Sequence, residues 1–186
     1  MRLTLFICFL LTSLTVIGQT PHQKPTHNFT VNRLLIVNDN DEILMCRDQH
    51  VWATPSFLYT HRQYVNEALD SLAGAYGVQI SELQLRGHFS YKYDYHPYST
   101  MRNYYVARYA GGELTLPEGL AEVKWVPMQE AIALNSVTSI RQITEQILNH
   151  PKVVWGASFM VSHVGKDHPT AIVEDFYPLF GRMEEE

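Results

Sequence analysis

The chain has 186 residues, of which 46% are hydrophobic and 18% charged, with a net charge of −5 and a pI near 6. This is enough apolar side chain for one domain with its own core, and too much for a disordered chain. The acidic balance argues against nonspecific nucleic-acid binding, so no nucleic-acid partner is expected.

Residues 1–18 read as a signal peptide. Met1-Arg2 is followed by an apolar run from Leu3 to Ile17, and Val16 and Gly18 suit a cleavage site before Gln19. If the leader is cleaved, the protein is secreted or periplasmic and keeps no membrane span. If not, it is anchored by its N-terminus. Cys8 lies in the leader, so a mature chain has Cys46 only, which excludes an internal disulfide. Cys46 sits in the apolar stretch Ile43-Leu44-Met45-Cys46 and reads as a small core residue.

Residues 19–27 form a polar linker. Val31–Val37 reads as a buried strand, Asn38–Asp41 as a turn and Glu42–Arg47 as the return strand of a hairpin. Val51-Trp52-Ala53 is a short strand stopped by Pro55. A helix follows, with Thr60 as its N-cap, Val65, Leu69, Leu72 and Tyr76 as its core face, and Gly77 just past its end. From Leu85 to Tyr95 the chain alternates, placing Phe89, Tyr91, Tyr93 and Tyr95 on one strand face. His96–Thr100 is a turn and Asn103–Tyr109 the returning strand. Short strands are expected at Glu113–Leu116 and Glu122–Val126. Pro127 opens a helix over Met128–Leu134, and a second helix runs from Val137 to Asn149 with Ile140, Ile143, Ile147 and Leu148 facing inward. Residues 151–186 read as a C-terminal extension of uncertain structure, in which Val153–Val161 is a strand or a short helix.

This order of elements resembles the Nudix hydrolase superfamily over residues 28–150. Two stretches carry the resemblance. Trp52-Ala-Thr-Pro55 is similar to the W-x-x-P that introduces the family's signature loop. Glu122-Val-Lys-Trp125-Val-Pro127-Met-Gln-Glu130-Ala is similar to its E-x-x-W-x-x-x-x-E segment. The resemblance implies an α/β/α sandwich around a mixed β-sheet. It also implies magnesium- or manganese-dependent cleavage of nucleoside-diphosphate-linked compounds. The metal neutralises phosphate charge and activates water, and it needs hard oxygen ligands.

The family's signature is G-x5-E-x7-R-E-U-x-E-E-x-G-U, with U aliphatic. Anchored on Gly77-Val78, it places its first glutamate on Arg62, its Arg-Glu pair on Asp70-Ser71 and its glutamate pair on Gly74-Ala75. Anchored on Trp52 and Pro55, it shifts by one residue and sets Leu72, Ala75 and Tyr76 at the carboxylate positions. Both registers give a degenerate Nudix box. No metal residues can be assigned, and no cofactor is expected. Magnesium or manganese enters only if a rearranged metal site exists.

The leading expectation is therefore an exported binding module without metal-dependent hydrolysis. The competing one is a divergent hydrolase with a rearranged site. Glu67 and Glu122 are the catalytic candidates it leaves, and one carboxylate makes a poor magnesium site. Arg62, Tyr91, Tyr93 and Arg102 are the candidate ligand-binding residues, for a nucleotide-like or other small anionic ligand. Arg62 and Asp70 are a candidate structural pair, because the box's charges are exchanged between those positions. His61, His88 and His96 lack metal-ligand spacing. No protein partner can be named.

Overall fold

A computed structural model of the chain describes residues 29–60, 62–164 and 168–181. The leader, the linker and the last residues of the tail lie outside these, as does His61. Twelve elements run in the order β1 (Phe29–Val37), β2 (Glu42–Arg47), β3 (Trp52–Ala53), β4 (Ser56–Leu58), α1 (Val65–Ala75), β5 (Val78–Tyr93), β6 (Ser99–Gly112), β7 (Glu122–Pro127), α2 (Met128–Leu134), α3 (Thr138–Asn149), β8 (Val154–Val161) and β9 (Thr170–Phe180). No helix among the described residues is long and apolar enough to cross a membrane.

All nine strands join one mixed sheet, ordered β3-β2-β1-β6-β5-β8-β9, with β4 also on β1 and β7 also on β2. The β1–β6 and β5–β8 pairs are parallel and the others antiparallel.

Because side chains alternate along a strand, the two faces of β1 feed different cores. Leu34 and Ile36, with Leu44 and Cys46 of β2, pack against Leu69 and Ala73 of α1 and against Tyr76. On the other face, Leu35 joins Phe89, Tyr91, Tyr104, Ile143, Ile147 and Trp155 beneath α3. Val37, Ile43, Met45 and Val126 pack beneath Ala131 of α2. One helix thus covers one face and two cover the other, an α/β/α sandwich around a mixed sheet.

Several elements differ from the sequence expectations. The helix begins at Val65, with Tyr64 and not Thr60 as its N-cap residue. The intervening chain is used first by β4, which pairs Ser56–Leu58 with Val31–Arg33, and then by a loop pinned by the Tyr59 hydroxyl donating to the Gln63 carbonyl (2.8 Å). The buried face of α1 is Ala68, Leu69 and Ala73, with Tyr76 just beyond, while Val65 and Leu72 are half-buried. Gly77 ends the helix as expected: its φ is +77°, and a Cβ there would lie 2.0 Å from the Glu113 carbonyl oxygen.

Glu113–Leu116 is not a strand. The segment docks on the end of α1, where the Thr115 amide donates to the Tyr76 carbonyl (2.9 Å) and its hydroxyl to the Ala75 carbonyl (3.2 Å). It thereby satisfies carbonyls that a helix C-terminus leaves free. Beyond Pro151 the chain forms β8, whose Trp155, Ala157, Phe159 and Val161 enter the core under α3, and the edge strand β9.

Candidate functional site

The outward face of α1 is the first place to look for chemistry. Ser71, Gly74 and Ala75 are all exposed there. Glu67 caps the helix, its carboxylate accepting from the Tyr64 amide at 3.2 Å. Ser71 accepts a hydrogen bond from the Gln63 side-chain amide at 3.1 Å, which ties the preceding loop to the helix. Arg62 and Asp70 are exposed, and the ion pairs among the described residues are Arg47–Glu122 and Lys124–Glu122 instead. The loop-to-helix tie therefore runs between neutral Gln63 and Ser71.

In the alternative register, Leu72 is half-buried and Tyr76 is buried, its hydroxyl donating to the Cys46 sulfur at 3.4 Å. Burial holds the Cys46 thiol above its usual range, in keeping with a core role. Among the described residues no group of three or more His, Cys, Asp or Glu side chains is arranged to hold a metal ion. The carboxylates that α1 presents, Glu67 and Asp70, belong to no group of three or more such side chains, and Glu67 is taken up as a cap, which is a poor set for magnesium or manganese.

Glu122 lies on the opposite face of the sheet from α1. Its cross-strand neighbour is Arg47, which shares a face with Met45 and Ile43 under α2. The Arg47 guanidinium bonds the Glu122 carboxylate at 3.0 Å and holds its pKa below the usual carboxylate range, with Lys124 adding a second cation at 3.5 Å. Both cations lie over the Trp52 ring, at 5.5 and 4.5 Å. Glu67 and Glu122 are thus separated by the sheet and cannot share an ion. Of the candidate histidines, His88 and His96 do not come together, although His96 shares the Tyr95 ring with His163 and His168. His88 bonds Asn103 (2.7 Å), and His96 stacks on Tyr98 with ring centroids 4.7 Å apart.

Of the expected ligand-binding residues, Tyr91, Tyr93 and Arg102 come together, and Arg62 does not join them. They lie on adjacent strands, β5 and β6, on the face beneath α3. The Arg102 guanidinium rests 3.7 Å from the centre of the Tyr91 ring and hydrogen-bonds Tyr93, whose hydroxyl also meets the Thr100 hydroxyl at 3.0 Å. Sequence reasoning missed three more members. Arg33 of β1 is 7% exposed, donates to the carbonyl (2.7 Å) and hydroxyl (3.1 Å) of Thr54, and lies 5.9 Å from the Tyr104 ring centre. Tyr104 is fully buried, and Ser139 sits in the first turn of α3. A signal for Arg33 existed: it is a charged residue inside the apolar run Val31–Val37.

This cluster holds half of the buried polar side-chain atoms that lack a partner among the described residues. The Tyr91 hydroxyl faces Ser139 and the Tyr104 hydroxyl faces Arg33, but these three hydroxyls and Arg102 Nε are buried without a hydrogen bond of good distance and angle. Burial pushes both tyrosines above their usual pKa, while Arg33 and Arg102 pull the other way. Both phenols therefore stay protonated at neutral pH.

No family model and no curated protein matches the chain. Solved structures do. A MutT protein of Bacillus halodurans aligns with a TM-score of 0.66 at 14% identity, over 78% of this chain and 97% of that one. The chain has a Nudix hydrolase fold. A Nudix hydrolase from Nitrosomonas europaea aligns at 0.56 and 13% identity over 66% of this chain and 90% of its own length, and a UDP-X diphosphatase at 0.52 and 13% over 70% and 67%. At these identities the likeness is one of fold. Within this Nudix fold, α1 stands where the sequence resemblance places the signature helix, and it presents Ser71, Gly74 and Ala75 where that signature has carboxylates.

Proposed function

We propose that this is an exported Nudix-fold protein that binds a small anionic, nucleotide-like ligand and does not hydrolyse it. The observation that carries the reading is the outward face of α1. Metal-assisted diphosphate cleavage needs several hard oxygen ligands converging on one ion. Glutamates three and four residues apart on a helix can supply them, but here those positions hold Ser71, Gly74 and Ala75. The two candidate carboxylates have other work: Glu67 caps α1, and Glu122, on the other face of the sheet, is neutralised by Arg47 and Lys124. No cofactor is required. A nucleotide-like ligand is supported by the fold neighbour described as a UDP-X diphosphatase and by the arginines and tyrosines beneath α3. Export is supported by the leader pattern of residues 1–18.

The test is turnover. The purified full chain, incubated with magnesium or manganese and a panel of nucleoside-diphosphate-linked compounds, is expected to release no product. Robust release that Glu67→Gln or Glu122→Gln abolishes would overturn the reading. N-terminal sequencing of the protein recovered from its host tests export: a chain starting at Gln19 is expected, and one starting at Met1 contradicts it.

A further inference from the structure

We infer that Arg33 and Arg102, with the Tyr91, Tyr104 and Ser139 hydroxyls at the N-terminus of α3, form a binding site for a tetrahedral oxyanion of the phosphate type. This deepens the ligand-binding reading above and rests on it for the anionic character of the ligand.

The argument begins with charge. Arg33 is almost wholly buried and Arg102 is half-buried, and through the parallel β1–β6 pairing both lie on one face of the sheet, where both act on Tyr104. Neither makes an ion pair among the described residues, whose two ion pairs both belong to Glu122. Desolvated cations are normally matched by an anion, because an uncompensated buried charge is costly. The tyrosines do not provide one, since burial keeps them protonated.

Hydrogen bonding points the same way. Native chains rarely leave buried hydroxyls unpaired. Here Tyr91 and Tyr104 are 0% exposed and Ser139 is 1% exposed; the Tyr91 hydroxyl faces Ser139 and the Tyr104 hydroxyl faces Arg33, yet none of the three hydroxyls, nor Arg102 Nε, meets a partner in the chain at good hydrogen-bond distance and angle. Every unmet group can donate, and none is a carboxylate that would repel an anion. The Tyr91 hydroxyl interacts with Ser139, which places it against the first turn of the twelve-residue helix α3. That turn has no side-chain cap on its amides, so its positive end adds to the same field. Three hydroxyls and two guanidiniums gathered on one sheet face match the several oxygens of a phosphate better than the two of a carboxylate. Arg102 is the way in. Half-buried over the Tyr91 ring, it is the most exposed member of a cluster whose other side chains are buried.

The experiment uses the full chain with inorganic phosphate as the probe, followed by calorimetric titration and by melting temperature, with sulfate and acetate in parallel. Phosphate and sulfate are expected to bind saturably and to raise the melting temperature, with acetate weaker. Arg102→Gln and Ser139→Ala are expected to weaken phosphate binding by about tenfold to a hundredfold, the loss for one charge-assisted partner. Ser71→Ala, on the other face, should leave it unchanged. Arg102 is half-buried and Ser139→Ala removes only a hydroxyl, so both variants are expected to fold, which their melting curves verify. Absence of saturable phosphate binding, or wild-type affinity in folded Arg102→Gln, would overturn the site. Acetate binding as tightly as phosphate would overturn its tetrahedral assignment. Hydrolysis of nucleoside-diphosphate compounds would instead overturn the non-hydrolytic reading and leave this site standing.

Discussion

The outward face of α1 and the sheet face beneath α3 hold the two kinds of polar chemistry in this molecule, and they hold them differently. On α1 the polar groups are exposed to water, and two contacts tie the helix to its loop: Glu67 to the Tyr64 amide and Gln63 to Ser71. Beneath α3 they are buried and unmet, with Arg33, Arg102, Tyr91, Tyr104 and Ser139 gathered and no carboxylate among them. A surface whose polar groups satisfy each other can hold a loop in place and asks for nothing more. A buried cluster with donors left over costs stability unless something accepts from them. The proposed binding site accordingly lies under α3, and the proposed role of the helix at the signature position is that of scaffold.

Mutations on the two faces should separate in size. The largest effect is expected beneath α3, where Trp155 of β8 is 2% exposed and packs in the same core as Tyr91. Trp155→Ala should cost about 3–5 kcal/mol in chemical denaturation. By the same packing, a chain lacking Lys152 to Glu186 should not fold. A folded truncated chain would detach β8 from the core and blur the contrast.

Next is the end of α1. Gly77→Ala puts a Cβ into the Glu113 carbonyl at a φ of +77° and should cost more than about 1 kcal/mol. A smaller loss would mean that the segment at Glu113–Thr115 yields easily.

A pH titration reads the buried face more directly. Burial raises the pKa of Tyr91 and Tyr104, so their contribution to stability is fully present below the unfolded tyrosine value, about 10, and is lost as pH rises above it toward the folded value. Tyrosinate absorbance should then rise in two phases, exposed phenols first and the buried ones together with cooperative unfolding. Tyr91→Phe should move that second phase to higher pH. A single noncooperative phase would show that these hydroxyls are open to water.

The smallest effects belong to the outward face of α1. Glu67→Ala should cost about 0.5–1 kcal/mol, the usual range for a lost cap, and Ser71→Ala less than about 0.5 kcal/mol, as for most exposed sites. A loss above that range at Ser71 would assign α1 more than a scaffold role.

Much of the framework was legible because its signals are local. The apolar run Val31–Val37, the turn Asn38–Asp41, the stop at Gly77 and the Pro127 entry to a helix each state their role within a few residues. What failed depended on distant partners. Ser56–Leu58 is too short to show periodicity and becomes a strand only because β1 offers an edge. Glu113–Leu116 alternates like a strand, yet its hydrogen bonds go to the end of α1. The site followed the same rule. Tyr91, Tyr93 and Arg102 could be named because β5 and β6 are neighbours in the chain. Arg33 and Ser139 could not, because only the parallel pairing of β1 with β6 and the seating of α3 bring them there. The Arg62–Asp70 exchange was a pattern in an alignment, and the folded chain ties the loop with Gln63 and Ser71 instead.

The most direct test is a crystal structure of the full chain soaked with manganese and a nucleotide-sugar, with the metal located by its anomalous signal. The account predicts no manganese beside Glu67 and Ser71 on α1, and ligand phosphate oxygens within hydrogen-bond distance of Arg33 and Arg102. Manganese held by side chains of α1, with the diphosphate bridging to it, would contradict it.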